Sequence, residues 1–569
     1  MKLYNQIAAA VVIGLVWAAA LPAAGQTTTP ALGYGYWEDV VLMNSQNPNY
    51  TARSMGIGGA QVGLGADISN ASTNPAGLGM LRRNEFNIST SLLFSKSSNV
   101  LDAGTATTGN RNQFHIGTLG GAFSTMKSEI EGGSFRGGTF ALTLTRLANF
   151  NSVRSYSTTR PYIGKDYNGD GSITKGDSLL PGDNSFNYNL FGIIADETRG
   201  PGINNNILSK AANDPSLSAD QYWIRQAWGS FLLDNSDVNN SVGGWYFNQP
   251  NGDILQSATI KTSGRIQQFD FAYGGNFNDK FYVGGGIGVP FGKQEINVTY
   301  DEQLLNVKAP RDGFDGRPVP DQSFWTGFVT RRGFNTKIDM LGINAKLGAI
   351  YKPTAWSRIG LSIQTPTAMA MSYEASNTLS ADFGTIRVRP PFDSVPVAPG
   401  IIIGEVDRTN TFTYNATGPW RIAAGGTLLS SQYGFVTAEA TYINYGGMKV
   451  RGKGGSNALS GDQALLSKNA QDAIQIRAGV EGKYDIHRFR VGGSYLPGAV
   501  ATAADLVGIS AGYGIRMTNF YLDLALNRYV EKDKLYTVIN DASLPYFKTS
   551  PVKSDISDLM VQLTFGSYF

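Results

Sequence analysis

The chain closes on DLMVQLTFGSYF, Asp558 to Phe569, and the alternation in this stretch decides the fold. Odd positions give Leu559, Val561, Leu563, Phe565, Ser567 and Phe569. Even positions give Asp558, Met560, Gln562, Thr564, Gly566 and Tyr568. A period of two is a β-strand, here with one oily face, one fairly polar face and an aromatic end.

The same period recurs from about Glu85 onward in fourteen segments, among them NEFNISTSLLFS, GGTFALTLTRL, RIQQFDFAYGG, FYVGGGIGVPF, AIQIRAGVEGKY and HRFRVGGSY. The junctions alternate too. FNDK, KPTA, SSQYG, YDI and MTN are tight, whereas those near Leu147 to Ser263, Asp301 to Thr336, Glu374 to Asn410, Arg451 to Asp472 and Lys532 to Ser554 are long and polar. Short turns at one end, long loops at the other and an even strand count describe an antiparallel transmembrane β-barrel, with both ends of the barrel on the short-turn side. A soluble sandwich or propeller would also alternate, but it would bury the polar sets, which hold Arg477, Glu481, Arg488, Arg490, Arg516 and Asp523. Turned the other way, the oily faces meet lipid and these charges line a lumen. Aromatic strand ends such as Phe269, Tyr273, Phe520 and Tyr529 are then expected near the headgroups.

Composition agrees. The 569 residues include 69 glycines, 27 tyrosines and 29 phenylalanines with 16% charged residues, which suits many strands and turns. A net charge of +3 over this length gives no reason to expect nucleic acid as a partner. There is no cysteine, so stability rests on burial and closure of the sheet. Residues 1–25 read as a cleaved signal peptide, with Lys2, an apolar run from Ile7 to Ala20, and Ala23, Ala24 and Gly25 at the cleavage end. The run is too short to span a bilayer as a helix. The expected order is therefore signal 1–25, a hatch at 26–84, and an all-β barrel at 85–569 whose largest extracellular loop is 147–263.

The hatch segment is rich in small and turn-forming residues, which let it tuck into a wide lumen. Its stretch TARSMGIGGAQVGLGADISNASTNPAGLG resembles the N-terminal hatch of the FadL/TodX family of hydrophobic-compound transporters, where a glycine-rich run leads to an Asn-Pro-Ala turn, here Asn74, Pro75 and Ala76. TGPWRIAAGGTLL and SRIGLSIQTPTAM are similar to further family segments, and Phe569 resembles the terminal signal that outer-membrane barrels present to their assembly machinery. The resemblance implies an outer-membrane location, facing lipid and lipopolysaccharide. It implies capture of a hydrophobic small molecule such as a long-chain fatty acid by the loops, an interior pocket, hatch movement and lateral release into the bilayer. Glycines in VGGGIGV are expected either to mark a break in the wall or to pack against the hatch. A rival reading makes the barrel a subunit of a secretion or surface-assembly complex, as type IX secretion shuttle barrels are, with protein partners on its loops.

One loop carries its own chemistry. DYNGDGSITKGD, Asp166 to Asp177, fits the calcium-loop pattern, with oxygens from Asp166, Asn168, Asp170, Thr174 and Asp177 and the carbonyl of Ser172. The same residues suit a plain polar turn. Catalysis has no comparable signature, since His115 and His487 belong to no nucleophile or metal motif and the chain is not expected to be an enzyme.

Overall fold

The computed structural model describes residues 36–101, 106–127, 133–162, 234–235, 245–246, 251–308, 329–382, 401–404, 410–430, 432–501, 503–536 and 552–569. The signal segment 1–25 lies outside them. The alternating segments become fourteen staves of one closed antiparallel barrel. They are β1 Glu85–Leu101, β2 Thr107–Met126, β3 Phe135–Asn149 with its continuation Ser152–Tyr162, β4 Asn251–Phe277, β5 Phe281–Lys308 and β6 Val329–Thr354. Next come β7 Ser357–Gln364 with Ala368–Asp382, β8 Arg421–Ser430 preceded by Ile401–Gly404 and Asn410–Thr417, and β9 Gly434–Ile443 with Lys449–Gly452. The ring is completed by β10 Ala473–Tyr484, β11 His487–Leu496, β12 Leu506–Arg516, β13 Phe520–Tyr536 and β14 Val552–Tyr568. The closing stretch does what its period requires, because β14 pairs with β1 in unbroken register from Glu85 opposite Tyr568 to Leu101 opposite Val552.

Parity sorts the side chains. On β14 Leu559, Leu563 and Phe565 are exposed on the outside, while Met560, Gln562 and Thr564 are buried within. Along β5 the outward apolar residues run from Phe281 through Val283 and Ile287 to Phe291, and the next outward residues are Lys293 and Glu295. Their neighbours on β6 change at the same level, since Phe291 pairs with Leu341, Lys293 with Asp339 and Glu295 with Lys337. The oily band thus matches the ~9–11 residues with which a tilted strand crosses a bilayer. β4, β5 and β6 continue beyond it as a charged wall, which is why Asn251 to Thr262, expected in a loop, is strand, and Ser152 to Tyr162 is strand because it pairs with that extension of β4. Tyr529 corrects an expectation. It faces inward and packs against Tyr50 and Met55, because it lies an odd number of residues from outward Phe520.

The hatch supplies α1 Tyr36–Asn44, α2 Ala52–Gly56, α3 Asn70–Thr73 and a 3-10 turn Pro75–Met80. From α2 onward it touches the wall backbone to backbone. A β-carbon on Gly284 would collide with Pro75, one on Gly360 with Val62, one on Gly63 with Gly425, and one on Gly492 with Ile57 and Gly58. Within VGGGIGV, Gly284 packs on the hatch as the second expected reading has it, while Gly285, Gly286 and Gly288 meet neighbouring wall residues. The run is not a break, since Phe281 to Gly288 pair fully with both neighbours.

Candidate functional site

Polar groups weld the lower hatch to the wall. Glu439 on β9 accepts the amides of Gln61 and Val62 at 2.8 and 2.9 Å with one carboxylate oxygen and Arg477 at 2.9 Å with the other. A line of alternating charge runs from hatch Asp67 through Arg53 to wall residues Glu481, Arg490, Asp523 and Arg516, with contacts of 3.8, 3.9, 2.6, 2.7 and 2.8 Å. Lys346 and Asp270, both buried, pair at 2.6 Å, and Ser72 of the hatch donates to the same aspartate. Charges predicted for the lumen are there, and Arg477, Glu481, Arg490, Arg516 and Asp523 each meet an opposite charge as a low-dielectric site requires, while Arg488 donates to the Asp485 and His487 carbonyls.

Asn74, Pro75 and Ala76 belong to this weld. Asn74 Oδ1 accepts the Ala76 amide at 3.2 Å, capping the 3-10 turn, and its Nδ2 donates to the Val62 carbonyl at 2.7 Å. Pro75 sits at the first position of the turn, where its missing N–H is no loss. Ala76 packs on Tyr282 and Ile350. These residues build the hatch and do not line the cavity described next. Phe569 stays exposed on the outside, edge-on to Phe123 at 6.4 Å between centroids, and its amide donates to Asn84. The Asp166 to Asp177 loop falls outside the described residues.

Above the hatch, towards the long-loop end, lies a cavity of about 680 Å³, within the ~300–1,000 Å³ of small-molecule sites. Its walls mix apolar groups, such as Leu42, Leu93, Phe150, Val298, Leu496 and Met560, with Asn49, His115 and Asn151. Part of its boundary is hatch: α1 gives Trp37, Glu38, Asp39 and Leu42, and the link after it gives Ser45, Gln46, Asn47 and Asn49.

Beside that link the barrel wall divides. β2 and β3 pair from Met126 opposite Gly137 up to Thr118 opposite Thr145, and the ladder stops there. β2 continues from Gly117 to Thr107 paired with β1 alone, while β3 bulges between Arg146 and Ala148 and stays with β4. The continuation Ser152–Tyr162 then crosses the inner faces of β1 and β2, where Ser97 donates to the Val153 carbonyl at 2.7 Å. Opposite the bend stands Gly264 with φ +126, a conformation glycine permits, and its carbonyl receives the backbone amide of Phe150 and the side-chain Nδ2 of Asn151. The free upper edge of β2 carries the lipid-facing Phe114 and Ile116, so the split opens at the depth of the oily band.

Asn49 fills the fork. Its amide donates to the Arg146 carbonyl on β3 at 2.8 Å, its carbonyl receives the Thr118 hydroxyl of β2 at 2.7 Å, and its side chain meets His115 Nε2 at 2.7 Å. One hatch residue thereby satisfies backbone that the divided ladder leaves open, which matters because unpaired N–H and C=O groups are costly at membrane depth. The next residue is already anchored, with Gln562 donating to the Tyr50 carbonyl and Thr564 accepting the Ala52 amide at 2.7 Å. Asn49, Thr118 and Arg146 carry no motif. His115 belongs to none either.

No family model matches the chain, and no curated protein does. Solved structures to which it is similar include a Pseudomonas aeruginosa FadL homologue, at 12% identity and TM-score 0.49, covering 92% of this chain and 99% of that one. The P. putida toluene transporter TodX is similar at 11% identity and TM-score 0.46, with 92% and 99% covered. The Ralstonia pickettii toluene transporter TbuX follows at 13% identity and TM-score 0.42, with 92% and 98% covered.

Proposed function

We propose that this barrel takes up hydrophobic small molecules, such as long-chain fatty acids, across a bacterial outer membrane and releases them sideways through the fork between β2 and β3. The observation that carries the reading is the position of Asn49, which borders the apolar-walled cavity on one side and plugs the divided wall on the other. A vertical route would have to dislodge a hatch held by wall glycines, Glu439 and the buried charge line. The lateral route asks only that Ser45 to Asn49 move. An oily solute also gains by it, since it passes from cavity to hydrocarbon without crossing the charged lower lumen. Hatch movement in this account is local to that link. Exported localisation by a cleaved signal peptide, recognition of Phe569 by assembly machinery, and calcium at Asp166 to Asp177 belong to the same proposal.

Filling the cavity tests it. Ala499 is buried on the cavity wall, so Ala499→Trp should occupy the space and abolish transfer of a fluorescent long-chain acid into protein-containing liposomes. Undiminished transfer by a correctly folded variant contradicts the reading.

A further inference from the structure

The seam where the ring closes carries unmatched charge on its lipid side. Arg528 on β13 shares the outward parity of Phe520, Leu522, Leu524 and Leu526, and it is exposed. The row it belongs to is oily. Arg528 pairs with Ile509 on β12 and with Leu559 on β14, and Leu559 pairs with Phe94 on β1. That row is the upper edge of the apolar band, because on β1 the outward residue after Phe94 is Lys96. One row higher, Val530, Ser557, Lys96 and Asn110 follow one another across β13, β14, β1 and β2. Among the described residues neither Arg528 nor Lys96 has a hydrogen bond or ion pair with a protein group. The outward carboxylates above them are engaged: Asp555 accepts the Asp533 amide at 2.9 Å, Asp533 pairs with Lys553 at 2.6 Å, and Asp505 accepts the Tyr495 hydroxyl at 2.6 Å.

A guanidinium at the rim of hydrocarbon is tolerated where its stem can carry the head up to polar ground, and Arg528 has only Val530 to pass. Ser557 is the low point it reaches. It stands diagonal to Arg528 and directly opposite Lys96, so two long cationic side chains overhang one short hydroxyl from strands roughly 9–10 Å apart. At that height the neighbour of the barrel is a lipid headgroup, and two cations with a hydroxyl between them suit a phosphate. The guanidinium offers it paired N–H donors, the ammonium a compact charge, and Ser557 a further donor. We propose that Arg528 and Lys96 hold the phosphate of an outer-leaflet lipid over Ser557, and that this lipid fastens β13, β14 and β1 across the closing seam. The site lies outside the wall and depends on neither the cavity nor the fork.

The test uses the full barrel in a neutral maltoside detergent, with phosphatidic acid and diacylglycerol of equal chain length as probes and native mass spectrometry to count bound lipid. Wild type should bind phosphatidic acid about tenfold more tightly than diacylglycerol. Arg528→Gln or Lys96→Gln should each weaken that preference severalfold, the double variant should bring the ratio close to one, and Arg528→Lys should keep part of it. A folded mobility in unheated gels confirms assembly. Ser557→Glu gives the two cations a carboxylate of their own, so it provides a second route and should also remove the preference. Phosphatidic acid should raise the temperature at which the folded mobility is lost in wild type but not in the double variant; an equal rise in both overturns the fastening. Equal binding of the two lipids by wild type overturns the site, and so does a preference that survives in the double variant. Retention of phosphatidic acid in excess inorganic phosphate supports a lipid occupant, whereas its complete displacement assigns the site to free phosphate and overturns the proposal.

Discussion

The Asn49 amide donates to the carbonyl of Arg146 at 2.8 Å, a single antiparallel bridge between the hatch and a wall strand at the point where that strand leaves its neighbour. Below this bridge the wall is continuous, and above it β2 has no partner on that side. The link Ser45 to Asn49 is thus a removable piece of barrel wall, and its sequence should set how often the fork opens. Asn49→Gly keeps the backbone bridge but loses the side-chain contact to His115, so it should raise transfer of a fluorescent long-chain acid severalfold. Initial transfer rates into liposomes, compared with wild type, check this.

The glycine contacts predict an internal control. Gly492 faces the hatch at Ile57, whereas adjacent Gly493 faces outward, and a β-carbon there meets only the Gly508 carbonyl at 3.5 Å. Gly492→Ala should block or greatly weaken assembly, and Gly493→Ala should be close to neutral. The fraction that keeps a folded mobility in unheated gels separates them.

Charge placement gives a second contrast. Asp523 is fully buried between Arg490 and Arg516, so Asp523→Ala strands the Arg516 guanidinium, leaves Arg490 with Glu481 alone, and should cost ~3–5 kcal/mol. Asp533 pairs with Lys553 at 2.6 Å, but both are mostly exposed, and Lys553→Ala should be close to neutral. Urea titration of the barrel in lipid vesicles measures both.

The upper hatch should respond to pH. Burial, then the neighbouring Asp39 and Asp462, pushes Glu38 from the ordinary 4.5 up to about 8. Burial also raises Asp39 to about 7, against a lowering hydrogen bond from Tyr414 and with Asp462 acting upward. Tyr36 and Tyr373 complete the packed surroundings, and the Trp37 amide donates to Asp462 at 3.1 Å. Docked α1 therefore holds more protons than free α1. Docking is fully favoured below about pH 4 and weakens as pH rises through 7 and 8. A spin label on Leu42→Cys should gain mobility between pH 6 and 9, and Glu38→Gln should flatten that response.

The strands were legible because a lipid-facing sheet writes its period directly into the residues. Phe565 and Gln562 differ in parity, and that difference alone puts one in hydrocarbon and the other in the lumen. Tyr529 was misread because its aromatic character was weighed above its parity. The fork was hidden for a different reason. Ser152 to Tyr162 lies against β1 and β2 inside the lumen and has no oily face to announce it, so SVRSYSTTRPY reads as loop. The hatch turn at Asn74 was visible through its local turn chemistry. Asn49 acts through its backbone, which leaves almost no mark on residue choice.

Locking the fork tests the central claim most directly. Bridged strands hold their α-carbons ~4.5–5.5 Å apart, within reach of a disulfide, and the natural chain has no cysteine to interfere. In the double variant Asn49→Cys with Arg146→Cys, transfer of a neutral aromatic hydrocarbon into liposomes should stop on oxidation and return on reduction. Equal transfer by the oxidised and reduced forms, with the cross-link confirmed by mass spectrometry, would contradict lateral passage through the fork.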